Sequence, residues 1–361
     1  MESGRLLSKP LVISIDAMGG DHGPPVCVRG ALLASQRIPG LHFQLHGDTA
    51  QLEAELARMP ALRPLAQVVH AERAIAMDEK PAQAMRRGKG TSLWGAVEAV
   101  KTGEASAVVS AGNTGALMAI SKLQLRMAAD LERPAIVASW PTARGISVVL
   151  DVGANVESDA EQLVEFAIMG AAFHRAVHGS TRPTVGLLNV GSEEQKGHEE
   201  VREAHALLRA TTLDLDYRGF VEGNDIAKGT VDVVVTDGFT GNVVLKSAEG
   251  LARYFTNELK ATLTSSILAR LGALVAIGAL KGMKRRLDPG RVNGGPLLGL
   301  NGIVVKSHGG ADANGFASAI KVAVDLARSD YSAEIALNVQ RLMAISPQPD
   351  ASGESETGVS A

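Results

Sequence analysis

The chain has 361 residues, 45% of them hydrophobic and 21% charged, so it can bury the core of a large α/β domain and wholesale disorder is excluded. A net charge of −3 gives no chain-wide attraction to nucleic acid, and three Tyr, two Trp and seven Phe are too few for base-stacking platforms. The single cysteine, Cys27, excludes an intrachain disulfide framework and a multi-cysteine zinc site.

In chain order, apolar runs rich in β-branched residues predict strands, and helical patterns fall between them. A strand at Leu11–Asp16 leads to a helix after Pro24–Pro25, with Cys27 as one of its small core residues. Strands follow at Phe43–Gly47 and Gln67–His70, then a helix at Ser92–Thr102, a strand at Ala107–Ser110 and a helix at Thr114–Ala128. Strands at Ala135–Ser139 and Ser147–Asp151 precede a helix at Asp159–His178, and a strand at Thr184–Asn189 precedes one at His198–Ala210. The strand Val231–Thr236, the helix Asn242–Leu263, the strand Ile303–Ser307 and the helix Ala311–Ala327 complete the pattern. Several strands are continuous apolar runs, as strands buried on both faces are. Strand then helix, repeated, predicts right-handed crossovers and a mostly parallel sheet covered on both sides.

No linker or fixed-period repeat divides the chain, so residues 1–345 read as one catalytic domain, and 346–361 have the composition of a disordered tail. The N-terminus carries no long apolar signal segment, and a cytoplasmic location is expected. Within Leu263–Arg291, the apolar run Ile267–Leu280 is too short to span a bilayer. Lys281, Lys284, Arg285 and Arg286 follow it at once. An apolar helix with a basic flank suits an anionic membrane surface or an acidic partner, with a buried subunit interface as the alternative.

The chemistry concentrates where strands end: IDAMGGD, VVSAGNTGA, VLDVGANVES, LLNVGSEEQKGHE, VVVTDGFTGN and VVKSHGGADANG. Each pairs Gly with Asp, Asn, Ser or Thr ahead of a helix. Singly, each is a turn and a cap. Together, at the carboxyl edge expected of an open α/β sheet, they point to an anion site built from amides and helix N-termini. Neither G-x-G-x-x-G nor the P-loop pattern is present. Arg87 and Lys89 in RRGKGTS add charge just before a helix, while Lys196 and Lys306 stand beside strand ends. Lys306 also reads as a side chain snorkelling from the sheet edge. Asp16 and Asp21 are placed to hold Mg²⁺ in principle, but the preferred reading makes them caps that orient glycine amides, with no metal. No nucleophile elbow is present.

With these motifs laid out, and with GFVEGNDI and GGPLLGLNGIVVKSHG beside them, the chain resembles the phosphate acyltransferase PlsX family from about Leu11 to about Arg341. It departs from that pattern at His198, where Asn is more usual. The resemblance implies a three-layer α/β/α sandwich related to phosphotransacetylase and isocitrate-dehydrogenase folds, with a protruding amphipathic helical segment at 263–291. It implies a homodimer that works without a cofactor and contacts the membrane peripherally. The implied reaction converts long-chain acyl-ACP (ACP being acyl carrier protein) and inorganic phosphate to acyl phosphate and free ACP. The product then passes to a membrane glycerol-3-phosphate acyltransferase in phospholipid synthesis. On that footing phosphate is expected at the amides of Gly19, Gly20, Asn113 and Thr114, with Arg87, Lys89 and Lys306 supplying charge. Lys196 and His308 are expected to stabilise the oxyanion or protonate the leaving sulfur, while Asp16, Asp21, Asp237 and Asn242 orient them. Competing readings are a CoA-dependent phosphotransacylase, a decarboxylating dehydrogenase of similar architecture, and a non-catalytic membrane-surface scaffold.

Overall fold

The computed structural model describes residues 11–211, 213–286 and 293–344, with the backbone alone for 284–286. The tail from Ser346, and residues 287–291 of the basic segment, lie outside the described residues.

The strands are β1 (Leu11–Asp16), β2 (Leu41–Gly47), β3 (Ala66–His70), β4 (Ala107–Ser110), β5 (Ala135–Thr142), β6 (Gly145–Leu150), β7 (Thr184–Leu188), β8 (Asp216–Val221), β9 (Val233–Val235), β10 (Gly295–Leu298) and β11 (Ile303–Lys306). The first helices are α1 (Pro24–Arg37), α2 (Thr49–Ala57), α3 (Pro81–Arg87), α4 (Ser92–Lys101), α5 (Thr114–Leu125), α6 (Ala160–His178) and α7 (Glu199–Ala210). After them come α8 (Gly223–Lys228), α9 (Gly238–Thr264), α10 (Ile267–Val275), α11 (Ile277–Arg286), α12 (Ala313–Arg328) and α13 (Tyr331–Met343). Side-chain caps start many of them. Asp48, Thr91, Asn113, Asp159, Asp237, Ser266 and Asp312 each accept an amide proton from the first turn of their helix.

The strands form one sheet in the order β3-β2-β1-β4-β11-β10-β5-β6-β9-β7-β8. Helices α1, α2, α6, α7, α12 and α13 bury one face through residues such as Val28, Leu52, Phe166, Phe173, Phe316 and Ile335. The other face is covered by α3, α4, α5, α8 and the start of α9, through Ala84, Val97, Leu117, Ile226 and Leu245. The fold is therefore the expected α/β/α sandwich with a mostly parallel sheet. It is α6 that lies deepest, with every residue from Ala160 to His174 except Glu161 buried.

Two strands escaped the sequence pattern. β8 is an edge strand whose DYRGFV mixes charge, glycine and aromatics, because only part of it is buried. β10, GPLL, begins with two turn-forming residues and is recognisable only through its antiparallel pairing with β11 and β5. β5 and β6 pair as an antiparallel hairpin across Ala143–Arg144. Helix α9 starts earlier than expected, because Asp237 caps it at Gly238.

These pairings set strand direction. β11–β10, β10–β5 and β5–β6 are antiparallel, and the remaining pairings are parallel. Three reversals in succession mean that β6, β9, β7 and β8 run opposite to β3, β2, β1, β4 and β11. The six glycine turns therefore do not share one carboxyl edge, as the sequence reading supposed. The turns after β1, β4 and β11 leave one end of the strands, and those after β6, β7 and β9 leave the other.

Beyond Leu251, α9 and α10 project from the body with their side chains largely exposed, Leu268 82% and Val275 89%. Among the described residues, no helix is long and apolar enough to cross a membrane.

Candidate functional site

At the first edge, His46, Asp16, Ser110 and Lys306 stand in register on β2, β1, β4 and β11, forming a polar row on the face covered by α4. Ser92 Oγ, from the first turn of α4, donates to Asp16 Oδ1 at 2.6 Å, and Ser110 Oγ donates to Asp16 Oδ2 at 2.7 Å. The Gly112 amide donates in turn to Ser110 Oγ at 3.0 Å. Burial pushes the Asp16 carboxyl up, while the hydroxyl bonds from Ser92 and Ser110 and the Lys306 charge oppose that shift. The carboxyl thus ties three elements together: its own turn, the β4 turn and the start of α4.

The turns are pressed together as only glycine allows. A Cβ on Gly19 would lie 2.6 Å from the Gly112 amide nitrogen and 2.7 Å from Asp16 Oδ2. Gly20 adopts φ +89°, a left-handed conformation that side chains disfavour. Asn113 caps α5 by accepting from the Ala116 amide, and its Nδ2 donates to the carbonyls of Met77 and Glu79. Its side chain is committed to structure, which leaves the Thr114 and Gly115 amides without an acceptor among the described residues. These open amides at a helix N-terminus suit an anion.

Lys306 Nζ donates to the Ala111 carbonyl at 3.1 Å and to the Ser307 carbonyl. Among the described residues it has no carboxylate within ion-pair distance. Burial lowers its pKa to about 8, against the pull of Asp16 and Asp21. His308 is exposed; its amide donates to Asn293 Oδ1, and its Nδ1 accepts from the Gly310 amide. Asp21 donates its amide to the Gly309 carbonyl, tying the β1 turn to the β11 turn. Arg87 and Lys89 are exposed at the α3–α4 junction, where Arg73 Nη2 donates to both of their carbonyls at 3.0 Å. His46 is buried beside Asp16, and burial lowers its pKa to about 4, so it is neutral. Burial pushes the Cys27 thiol well above its ordinary value, which removes it as a nucleophile.

The second edge has its own buried carboxyl. Asp151, just past β6, accepts from the amides of Ile136, Gly153, Ala154 and Asn155 and from Asn155 Nδ2. A Cβ on Gly241 would fall 1.9 Å from the Asp151 carbonyl oxygen, so glycine is required where α9 crosses this turn. Asp237 accepts from the Thr240 amide at 2.8 Å, and exposed Asn242 packs beside Gly153. Lys196 Nζ lies 2.8 Å from Glu193 Oε1, and this hydrogen bond raises the lysine pKa and lowers that of Glu193. Lys196, Asp237 and Asn242 thus belong to the second edge, apart from Asp16, Gly19, Gly20, Asp21, Asn113, Thr114, Lys306 and His308. β1 and β6 are five strand spacings apart, roughly 24 Å. Sequence reasoning offered the Thr91 and Ser92 hydroxyls to phosphate, whereas Ser92 Oγ is taken by Asp16, and it passed over Ser110, Asp151, Asn155 and Asn293. All of the residues passed over except Asn293 sit inside the strand-end motifs, but nothing local says that their side chains bond across strands.

Solved structures that superpose on this arrangement of sheet and helices include phosphotransacetylases. One from Streptococcus pyogenes superposes with a TM-score of 0.60 at 18% identity, covering 89% of this chain and 95% of its own. The EutD phosphotransacetylase from Staphylococcus aureus gives 0.57 at 15%, covering 88% and 94%. At these identities the likeness defines the fold. Residues 11–334 match the family profile described as "Fatty acid synthesis protein". A protein named phosphate acyltransferase from Caulobacter vibrioides is 75% identical over 338 residues, 94% of each chain. One of the same name from Phenylobacterium zucineum is 61% identical over 342 residues, 94% of this chain and 97% of its own. The chain belongs to this fatty acid synthesis family, the PlsX phosphate acyltransferases.

Proposed function

We propose that the chain transfers a long acyl group from ACP to inorganic phosphate, releasing free ACP and acyl phosphate for phospholipid synthesis. The observation that supports this best is the first edge. There the open amides of α5, the glycine turn of β1 and the Lys306 ammonium surround the β4 turn with positive potential and no acidic partner in ion-pair contact with the lysine. An inorganic phosphate dianion held there attacks the thioester carbonyl directly, and amides facing the carbonyl oxygen stabilise the tetrahedral oxyanion. No covalent acyl-enzyme is needed, in keeping with an inert Cys27. Gly20 and Thr114 bind phosphate through amides, while the Gly19 amide donates to the Asp16 carbonyl at 3.4 Å; Arg87 and Lys89 add charge at the rim, and Asp16 and Asp21 shape the turns.

In this reading the chain works as a homodimer, and the exposed α9–α11 arm rests on the membrane surface. The apolar side chains of Ile267, Leu268, Leu271, Leu274 and Val275 support that contact. Acyl phosphate is then released where a membrane glycerol-3-phosphate acyltransferase takes it.

The assay is direct. Long-chain acyl-ACP should be consumed only when inorganic phosphate is present, with acyl phosphate trapped by hydroxylamine. Phosphate-independent release of fatty acid would mean a thioesterase. Faster turnover of acyl-CoA than of acyl-ACP would move the substrate to CoA. Vesicle binding without phosphate-dependent turnover would leave a scaffold.

A further inference from the structure

Transfer of an acyl group from sulfur to phosphate leaves a proton to be moved, from the attacking phosphate to the departing thiolate. Resting on the proposed acyl transfer, we infer that Lys306 carries this proton. An oxygen of monohydrogen phosphate forms the new C–O bond, the C–S bond breaks with its electron pair on sulfur, and the Lys306 ammonium protonates that sulfur. The neutral amine then takes the proton that phosphate brought. Acyl phosphate leaves as a dianion, the thiol leaves neutral, and the ammonium is restored.

The geometry of Nζ fits a carrier. An ammonium has three N–H donors and a neutral amine has two. The carbonyls of Ala111 and Ser307 take two of them, so losing the third proton leaves no buried acceptor unsatisfied. The two carbonyls belong to the β4 and β11 turns, so the nitrogen is fixed between the walls of the anion site. The charged groups that act on it are Asp16 of β1 and Asp21 of the following turn, which favour the ammonium, and Lys246 of α9, which disfavours it. With burial they leave Lys306 near pH 8, where a group can both give and recover a proton.

The other candidates are less suited. Lys196 is on the second edge and Glu193 holds its proton more tightly. His308 is exposed, and its Nδ1 is taken by the Gly310 amide.

The test compares two leaving groups carrying the same acyl chain, ACP and 4-nitrothiophenol, whose thiolate departs without a proton. Lys306→Arg retains the charge but cannot release a proton. The expected loss in kcat is about 10²–10⁴-fold with acyl-ACP, shrinking to less than about tenfold with the aryl thioester. Equal losses with both substrates in a folded variant, or no loss with acyl-ACP, would overturn the inference. Should the variant not fold, the wild type decides. Its kcat with acyl-ACP should fall above about pH 8, and the fall should vanish with the aryl thioester. A fall shared by both substrates would overturn the inference. If wild-type protein makes no acyl phosphate from acyl-ACP, it is the proposed function that fails.

Discussion

Ser110 Oγ bridges the Asp16 carboxyl and the Gly112 amide, at 2.7 and 3.0 Å, so a buried acid on one strand sets the backbone of the turn after the neighbouring strand, where phosphate binding is proposed. Ser110→Ala removes the bridge and leaves a buried acceptor and donor without it. The expected cost is about 1–3 kcal/mol of stability, with a raised KM for phosphate and a smaller change in kcat. Thermal melts and initial rates against phosphate concentration check this. An unchanged phosphate KM would confine Ser110 to the fold.

The distance between the two edges makes Lys196 informative. If it acts in the transfer, Lys196→Ala lowers kcat by about 10²-fold or more and leaves the melting temperature nearly unchanged, since its side chain is exposed and pairs only with Glu193. Steady-state kinetics beside a melt separate the outcomes. Unchanged turnover would take the second edge out of the chemistry and leave the first to act alone.

Helix α10 bears exposed leucine and valine side chains that no described residue covers. Leu268→Asp with Val275→Asp should abolish cosedimentation with vesicles of anionic phospholipid at little cost in stability, because both positions are already in water. A mass measurement in solution accompanies it. Retained vesicle binding, with the wild type dimeric and the variant monomeric, would assign the arm to contact between two copies instead.

Glu165, buried on α6, has its pKa raised to about 7 by burial, helped by Glu132, Asp159 and Glu161. Its backbone partner, the Glu132 amide, opposes the shift. Because the folded value lies above the ordinary 4.5, the stabilisation is complete below pH 4.5 and is lost as the pH rises toward 7. Glu165→Gln should therefore raise the melting temperature at pH 8 by a few degrees and change it little at pH 5. Equal shifts at both values would place the effect in packing rather than in charge.

Much of the scaffold was legible in the chain. The buried strands are continuous apolar runs, and Asp, Asn and Thr caps mark helix starts, so β1, β4, α4 and α6 were expected where they stand. The glycines of IDAMGGD and VVSAGNTGA announced backbone in close contact, which the fit of Gly19 against Gly112 explains. β8 and β10 were hidden because their residues gain strand character only from neighbours. Ser92 was visible as the start of a helix, but its bond to Asp16, 76 positions earlier, was not.

Residue types and their periods determine which segments are strands, which helices cover them, and that glycine turns end the strands, because those are local consequences of burial and backbone sterics. They do not determine direction. An apolar run reads the same whether its neighbour is parallel or antiparallel. The antiparallel pairings through β10, β5 and β6 were settled by long-range hydrogen bonding, and they send the Lys196 turn and the Lys306 turn to opposite ends of the strands. A local turn pairs Lys196 with Glu193, three residues earlier, whereas tertiary structure set the half-buried Lys306 between the carbonyls of Ala111 and Ser307. Two lysines of identical chemistry thereby shift in opposite directions, Lys196 upward beside Glu193 and Lys306 downward through burial.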